Sequence, residues 1–307
     1  MNKTNLSKFK GVIPAMNSCY DSEGNVSAAA AKKLTRYLID RGVGGLYVGG
    51  STGEGLLQQP EERKAMLAAV IEEAAGQVPV IAHIGAMSTR ESVELALHAK
   101  AEGADAISAV PPFYYHCSNE AAAEHWLEIV DRAQMPFIIY HIPSTTGFHL
   151  SVELLQTMLE SEHVIGVKCS SLSTFELQQF KAAGGENFLM FNGPDEQYLA
   201  GRVMGADAGI GGTYSVMPEL YVYLEKCIQE GNIAEAGKVQ HAINDVVAKL
   251  LKLPIYDALK ELLRRRGVEC GNVRKPLQRL SSAQHEQVIS IHQQIETAIS
   301  QFQIYKR

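Results

Sequence analysis

The stretch VIGVKCSS (residues 164–171) contains the features that decide the fold. Its first four residues are apolar or glycine and do not alternate with polar residues, which is typical of a parallel strand buried on both faces. Lys168 interrupts this pattern, because lysine is almost never fully buried without a partner and the stretch contains no carboxylate. The stretch therefore predicts a buried strand that carries an ammonium group near its carboxyl end.

Similar short apolar runs recur along the chain, and segments with helical spacing separate them. The other runs cover 11–17, 44–50, 78–85, 105–113, 136–142, 187–193 and 207–215. The helical segments, rich in Ala, Leu and Glu, cover 27–42, 60–76, 89–103, 119–133, 151–161, 173–183 and 195–204. Strands that alternate with helices in this way predict an α/β fold, a (β/α)₈ TIM barrel. A doubly wound open sheet is the alternative, but no G-x-G-x-x-G motif follows the first strand.

Strand-like runs stop after residue 216, and only helical patterns follow. These helices are predicted at 218–230, 233–252, 254–266 and 282–301. We therefore expect a barrel core over residues 1–216. Residues 217–307 should supply the final barrel helix and a C-terminal helical extension.

Composition and charge limit the binding partners and the cellular compartment that we expect for this chain. The 307 residues carry a net charge of −6 without a basic tract, so nucleic acid is not an expected partner. Residues 1–16 lack the apolar core of a signal peptide, and no run of 18 apolar residues predicts a membrane span. The five cysteines are odd in number, widely spaced and without a C-x-x-C pair, which favours the cytoplasm. The histidines show no H-E-x-x-H or comparable spacing, so no metal site is expected.

Lys168 is the first candidate for chemistry, because barrel enzymes place their active sites at the carboxyl ends of the strands. Removal from water disfavours the ammonium form and favours a nucleophilic amine, which can condense with a ketone to a Schiff base. The alternative is a lysine whose head extends to solvent at the strand end. Strand alternation should turn the neighbouring Cys169 towards the helices.

Polar residues close several other runs at the same predicted end of the barrel. Tyr140, in the strand next to that of Lys168, could shuttle protons during Schiff-base formation, or it could be a core tyrosine. Ser51 and Thr52, in the glycine-rich turn YVGGSTGEG, offer hydroxyls and backbone N–H groups that suit a carboxylate. Tyr114 follows the fourth strand. The turn could also be a glycine-rich turn with structural hydroxyls, or it could bind phosphate, although the Walker pattern is absent.

Two adjacent acids, Asp195 and Glu196, follow the seventh strand in FNGPDEQY (191–198). Their carboxylates could accept hydrogen bonds from a polyol. They could equally be the acidic residues that favour a helix N-terminus.

Taken in order, GGSTGE, PPFYY, YHIPSTTG, GVKCSS, FNGPDE and GADAGIGGTYS resemble the class I pyruvate-dependent aldolases, the family of dihydrodipicolinate synthase and N-acetylneuraminate lyase. The resemblance covers residues 8–300. It implies a (β/α)₈ barrel with a helical extension, usually a homotetramer, and a lysine that forms a Schiff base with pyruvate. It implies neither a metal nor a dissociable cofactor.

The resemblance also assigns roles to individual residues. It makes Lys168 the Schiff-base lysine, Tyr140 the proton shuttle and Ser51 its hydroxyl relay partner. Tyr114 would complete the relay and reach the site of a neighbouring subunit, and Ser51 and Thr52 would hold the pyruvate carboxylate. The expected pocket for a sugar tail comprises Ser170, Gly193, Asp195, Glu196, Gly212 and Tyr256.

Two positions bear on the branch of the family. The synthase branch has arginine in P-S-R-T-G, where this chain has Thr145 and so lacks a cationic fork for a second carboxylate. FNGPDE resembles the lyase branch, which implies reversible cleavage of sialic acid to N-acetylmannosamine and pyruvate. Gly212 stands where that branch usually has serine. An aldolase for another 2-keto-3-deoxy sugar acid, dihydrodipicolinate synthase and a non-catalytic keto-acid-binding barrel therefore remain alternatives.

Overall fold

The computed structural model describes residues 6–304, and its centre is a sheet of eight parallel strands. The strands are β1 (Gly11–Pro14), β2 (Leu46–Val48), β3 (Val80–His83), β4 (Ala106–Ala109), β5 (Phe137–His141), β6 (Val164–Cys169), β7 (Leu189–Asn192) and β8 (Ala208–Gly211). Each strand lies within one of the apolar runs predicted from the sequence. The strand predictions are therefore confirmed, with shorter bounds.

The sheet closes on itself into a barrel. The strand order is β1-β8-β7-β6-β5-β4-β3-β2, and every hydrogen-bonded pair is parallel. A parallel bridge between Ala15 and Tyr47 joins the first and last strands of this order, where the Met16 N–H donates to the Tyr47 carbonyl at 2.9 Å. The prediction of a TIM barrel is confirmed.

Helices connect the strands and surround the barrel. They are α1 (Ala28–Ile39), α2 (Pro60–Ala74), α3 (Thr89–Glu102), α4 (Asn119–Ala133), α5 (Pro143–Thr146), α6 (Val152–Met158), α7 (Thr174–Gly184) and α8 (Tyr198–Val203). Serine side chains cap the amino ends of five of them, at positions 27, 88, 118, 151 and 173. Each hydroxyl accepts a hydrogen bond from an N–H that has no partner within its helix, so these serines define where the helices begin.

Four further helices follow β8. They are α9 (Pro218–Gln229), α10 (Ile233–Leu250), α11 (Ile255–Arg265) and α12 (Ser282–Gln301). Their positions agree with the predicted C-terminal helices. The division of the chain at residue 216 stays a prediction, and its outer limits include terminal residues outside the described range.

Apolar side chains form two layers, as expected for a sheet covered on both faces. One layer fills the barrel lumen and includes Ile13, Ile81, Ile138 and Leu189, all 4% exposed or less. The other fills the space between sheet and helices. Cys169 belongs to this outer layer, as the strand alternation predicts.

Within residues 6–304, no helix has both the length and the apolar character needed to cross a membrane.

Candidate active site

A cavity of about 580 Å³ opens at the carboxyl ends of the barrel strands. Its lining includes Ser51, Thr52, Tyr140, Lys168, Ser170, Gly193, Asp195, Glu196, Gly212 and Tyr256. The structure therefore brings together the predicted site residues, with the exception of Tyr114. The volume is in the range of pockets that take a small organic molecule.

Lys168 lies inside the barrel and is 4% exposed. Its Nζ lies 3.8 Å from the ring centroid of Tyr140 and 4.5 Å from that of Tyr47. The lysine head group thus packs over the faces of two phenol rings. This arrangement explains how an apolar strand holds a lysine without a carboxylate in its own sequence, and it rules out a lysine directed into bulk water.

Tyr140 pairs with Lys168 across the β5–β6 register. Burial raises the pKa of this phenol, but the Lys168 charge and hydrogen bonds from Lys168, Ser51 and Ser170 outweigh it and lower the pKa below the usual 10. A phenol with a lowered pKa releases and recovers a proton more readily than an ordinary tyrosine. Tyr140 can therefore act as an acid and a base next to the Lys168 amine.

The turn after β2 places Ser51 and Thr52 against the cavity. Gly49 has a φ of 78°, and a Cβ at Gly55 would lie 1.9 Å from the Gly49 carbonyl oxygen. Only glycine fits these two positions, so the turn folds back tightly on itself. Ser51 and Thr52 line the cavity from this turn, and Ser51 hydrogen-bonds to Tyr140.

The two acids after β7 differ in environment. Asp195 is buried, and its Oδ2 accepts a hydrogen bond from the Thr213 N–H at 2.7 Å. Burial raises the pKa of this carboxyl to about 6, although the bonds from Thr213 oppose the rise. Glu196 is half-buried at the cavity wall. Both carboxylates can accept hydrogen bonds from hydroxyl groups in the cavity.

Tyr114 lies apart from this cluster. Its side chain is 78% exposed, and its ring packs edge-to-face on Tyr115 with centroids 5.1 Å apart. It does not line the cavity of its own chain. The structure thus leaves the predicted role of Tyr114 in another subunit's site untested.

Sequence reasoning missed several residues around the cavity. Tyr47 contacts the lysine, and its hydroxyl donates to Ser108 Oγ at 3.1 Å. Ile255 and Leu259, on α11, line the outer wall. Alternation within GGLYVGG could have placed Tyr47 on the lumen face. Ile255 and Leu259 carry no such signal, because an apolar i, i+4 pair is common on any packed helix.

A second group of polar side chains lies behind the barrel wall. Potential metal-ligand atoms of His141, Cys169 and Glu176 lie within 4.8 Å of one another, although no motif spacing suggested this group. The Leu150 N–H donates to His141 Nδ1 at 3.4 Å, which leaves the ring proton on Nε2, 3.4 Å from Glu176 Oε2. Because a metal needs an unprotonated Nε2, this geometry favours a hydrogen bond between histidine and glutamate.

Comparisons with known proteins agree with this geometry. Residues 8–295 match the dihydrodipicolinate synthetase family. The chain is 44% identical to the N-acetylneuraminate lyase of Mediterraneibacter gnavus over 302 residues, which cover 97% of this chain and 96% of that protein. A catalytic-lysine mutant of the Ruminococcus gnavus sialic acid aldolase superposes with a TM-score of 0.96 at 43% identity, covering 97% of this chain and 99% of that chain. A dihydrodipicolinate synthase of Bacillus anthracis gives 0.89 at 27% identity, covering 93% and 98%.

Proposed function

Because this chain belongs to the dihydrodipicolinate synthetase family, we propose that it is a class I aldolase that cleaves N-acetylneuraminate reversibly to N-acetylmannosamine and pyruvate. The observation that carries the proposal is the Lys168 amine, buried at the cavity floor against Tyr140. The names of the similar proteins point to the same reaction. The roles given below follow from this proposal.

Schiff-base formation begins when the Lys168 amine attacks the C2 ketone of the open-chain substrate. Tyr140 donates a proton to the ketone oxygen, recovers one from the attacking nitrogen, and donates again to the departing hydroxyl, so that water leaves and an iminium remains. Ser51, hydrogen-bonded to Tyr140, passes protons on. The lowered pKa of the Tyr140 phenol suits both directions of transfer.

Cleavage of the C3–C4 bond follows. Tyr140 takes the proton from the C4 hydroxyl, the C4 carbon becomes the aldehyde of N-acetylmannosamine, and the bonding electrons pass into the iminium. Protonation of the resulting enamine and hydrolysis release pyruvate and the free Lys168 amine. The protein amine supplies the electron sink, and therefore we assign no metal or dissociable cofactor to the reaction.

The two ends of the substrate meet different walls of the cavity. Ser51 and Thr52 hold the carboxylate, with the hydroxyls and N–H groups of the glycine-rich turn. The hydroxyl-bearing tail extends towards the opposite wall, where carboxylates and hydroxyls line the cavity. The residues assigned to the tail are Ser170, Gly193, Asp195, Glu196, Gly212 and Tyr256.

One position supports the sugar-acid substrate over the second substrate of a dihydrodipicolinate synthase, and another departs from the lyase pattern. Thr145 is exposed and does not line the cavity, so no cationic fork replaces the arginine of the synthase branch there. Gly212 departs from the lyase pattern and borders both the tail residues and the turn, since a Cβ at this position would lie 2.8 Å from Thr52 Oγ1. The tail therefore lacks the serine hydroxyl that the lyase branch usually has at this point.

We also propose a homotetramer in the cytoplasm. The exposed Tyr114–Tyr115 pair offers the aromatic surface that a neighbouring subunit would cover. The free cysteines suit a reducing compartment.

Trapping with borohydride tests the covalent mechanism. The protein is incubated with pyruvate and sodium borohydride and then analysed by peptide mass spectrometry. The expected result is one reduced pyruvate adduct on Lys168, with no adduct and no turnover in Lys168→Ala. Lys226→Ala, which removes an exposed lysine of α9, is the control and should behave like the wild type. An unlabelled Lys168 would contradict the mechanism and favour a keto-acid-binding barrel.

A substrate panel tests the specificity. Pyruvate release from N-acetylneuraminate should exceed that from 2-keto-3-deoxygluconate, and condensation of pyruvate with aspartate semialdehyde should be absent. Faster cleavage of 2-keto-3-deoxygluconate would reassign the enzyme to another sugar acid, and condensation with the semialdehyde would reassign it to the synthase branch.

A further inference from the structure

We propose that Glu54, through its ion pair with Lys260, is a positioning residue that fixes the Ser51–Thr52 turn for the substrate carboxylate. The inference rests on the proposed function, because it assigns that turn to carboxylate binding. Glu54 does not line the cavity and touches no reacting atom. It would act through the turn that carries it.

The ion pair is fully inside the protein. Glu54 Oε1 lies 2.7 Å from Lys260 Nζ, and the two side chains are 0% and 1% exposed. Two further donors bond to the Glu54 carboxylate: Ser18 Oγ donates to Oε1, and the Arg274 N–H donates to Oε2 at 2.8 Å. A buried charge pair gives a protein little net stability compared with apolar residues of the same size. Its presence here therefore calls for a reason other than stability.

The backbone at Glu54 strengthens this argument. Glu54 has φ 52° and ψ 25°, a left-handed conformation that glycine or asparagine adopts at lower cost. Its N–H donates to the Ser51 carbonyl at 3.0 Å, so the strained residue closes the turn that presents Ser51. The bonds of the Glu54 side chain to Lys260, Ser18 and Arg274 compensate for the cost of this conformation.

The partners of Glu54 come from outside the turn. Lys260 lies on α11, and the same helix contributes Tyr256 and Leu259 to the cavity wall. Lys260 is itself held by the Asn272 carbonyl, at 3.2 Å from Nζ. The ion pair therefore ties the carboxylate-binding turn to a helix that also lines the cavity. This link gives the C-terminal extension a direct part in the geometry of the site.

The chain offers a matched control in Glu225. This buried carboxylate also accepts several bonds, from Tyr198 Oη at 2.7 Å, Arg202 Nε at 2.9 Å and Gln229 Nε2 at 3.0 Å. It lies on α9, away from the cavity lining. Loss of its charge should weaken the fold in the same way as loss of the Glu54 charge, without moving the turn.

The experiment compares Glu54→Gln, Lys260→Met, the double variant and Glu225→Gln in the condensation of pyruvate with N-acetylmannosamine. Both Glu54→Gln and Lys260→Met should raise the KM for pyruvate about tenfold, the loss expected when one hydrogen bond to a charged group is misplaced. The KM for N-acetylmannosamine and kcat should change less than threefold. The double variant should be no worse than Glu54→Gln, because both changes break one interaction. Glu225→Gln should lower the melting temperature and leave the KM for pyruvate unchanged.

Two outcomes would overturn the inference. One is a KM for pyruvate within twofold of the wild type in both single variants, and the other is an equal increase in Glu225→Gln. If Glu54→Gln does not fold, Lys260→Met serves as the test, because the Glu54 carboxylate keeps its Ser18 and Arg274 donors in that variant. The pyruvate concentration that gives half-maximal borohydride trapping distinguishes failure of this inference from failure of the proposed function. Trapping by the wild type with unchanged half-saturation in the variants refutes only the positioning role, whereas no trapping by the wild type refutes the proposed function.

Discussion

Replacement of Asp195 by asparagine should make the protein more stable at neutral pH and less active. Asp195 is buried at the wall of the cavity, where burial raises the pKa of its carboxyl from 3.8 to about 6. Asparagine has nearly the same shape, and its side-chain oxygen can still accept the bond from the Thr213 N–H. It carries no charge, so it avoids the cost of an ionised group away from water.

The pKa values set the size and the sign of the effect. The folded chain binds the Asp195 proton more tightly than the unfolded chain, whose carboxyl ionises near 3.8. The stability that protonated Asp195 contributes is therefore fully present below pH 3.8 and is lost as the pH rises through about 6. The difference between 3.8 and about 6 corresponds to about 3 kcal/mol, at about 1.4 kcal/mol for each pH unit. Above pH 7, Asp195→Asn should therefore gain up to about 3 kcal/mol over the wild type.

Urea unfolding of both proteins, followed by circular dichroism from pH 4.5 to 8, measures this difference. It should grow with pH and level off above pH 7, while N-acetylneuraminate cleavage falls. Asp207→Asn is the control, because Asp207 pairs with Lys181 at 3.0 Å and accepts a bond from the Met190 N–H at 2.9 Å. That variant should be less stable than the wild type at every pH tested. A pH-independent difference for Asp195→Asn, or a wild type that is the more stable protein at pH 8, would refute the reasoning.

Three other changes test separate parts of the structure. Tyr140→Phe should lower kcat by about 10² to 10⁴ while pyruvate can still be trapped on the lysine, and a kcat within tenfold of the wild type would exclude the proton shuttle. Gly212→Ser should displace Thr52 Oγ1, because a Cβ would lie 2.8 Å from it, and should raise the KM for pyruvate about fivefold; an unchanged KM would show that Thr52 does not hold the carboxylate. Arg266→Met should destabilise the fold by about 2 kcal/mol in urea unfolding, because it removes one of two arginines that pair with the buried Glu219, while Arg41 stays at 2.9 Å, and a loss under about 0.5 kcal/mol would contradict this.

The barrel was predictable because its signals are local and repeated. Each strand lies in a short, mostly apolar run, and each of several helices begins at a serine that can cap it, as Ser27 and Ser173 do. The helix predicted over 195–204 was only partly right. A 3₁₀ turn (Asp195–Gln197) precedes α8, because Asp195 directs its side chain to Thr213 across the barrel mouth. Tertiary contact overrides helical propensity there.

The site was predictable where a polar residue breaks an apolar strand. Lys168 and Tyr140 carry that signal. The register of the parallel strands β5 and β6 places the two residues directly beside each other. Glu54 carries no such signal, because its partner Lys260 is more than 200 residues away along the chain. Lys260 also lies on α11, whose sequence has the pattern of an ordinary amphipathic helix. Long-range pairs of this kind depend on how the extension docks, which a single sequence does not encode in any local pattern.

The apolar side chains below Lys168 have a kinetic consequence. Among the described residues, Phe9, Ile13 and Leu189 fill the lumen beneath it, and the cavity opens on the other side of the lysine, at the carboxyl ends of the strands. Pyruvate, which is bonded to Lys168 at the cavity floor, then departs last, and the aldehyde product must depart before it. Pyruvate should therefore compete with sialic acid for the empty enzyme, whereas N-acetylmannosamine should bind only to enzyme that already carries pyruvate.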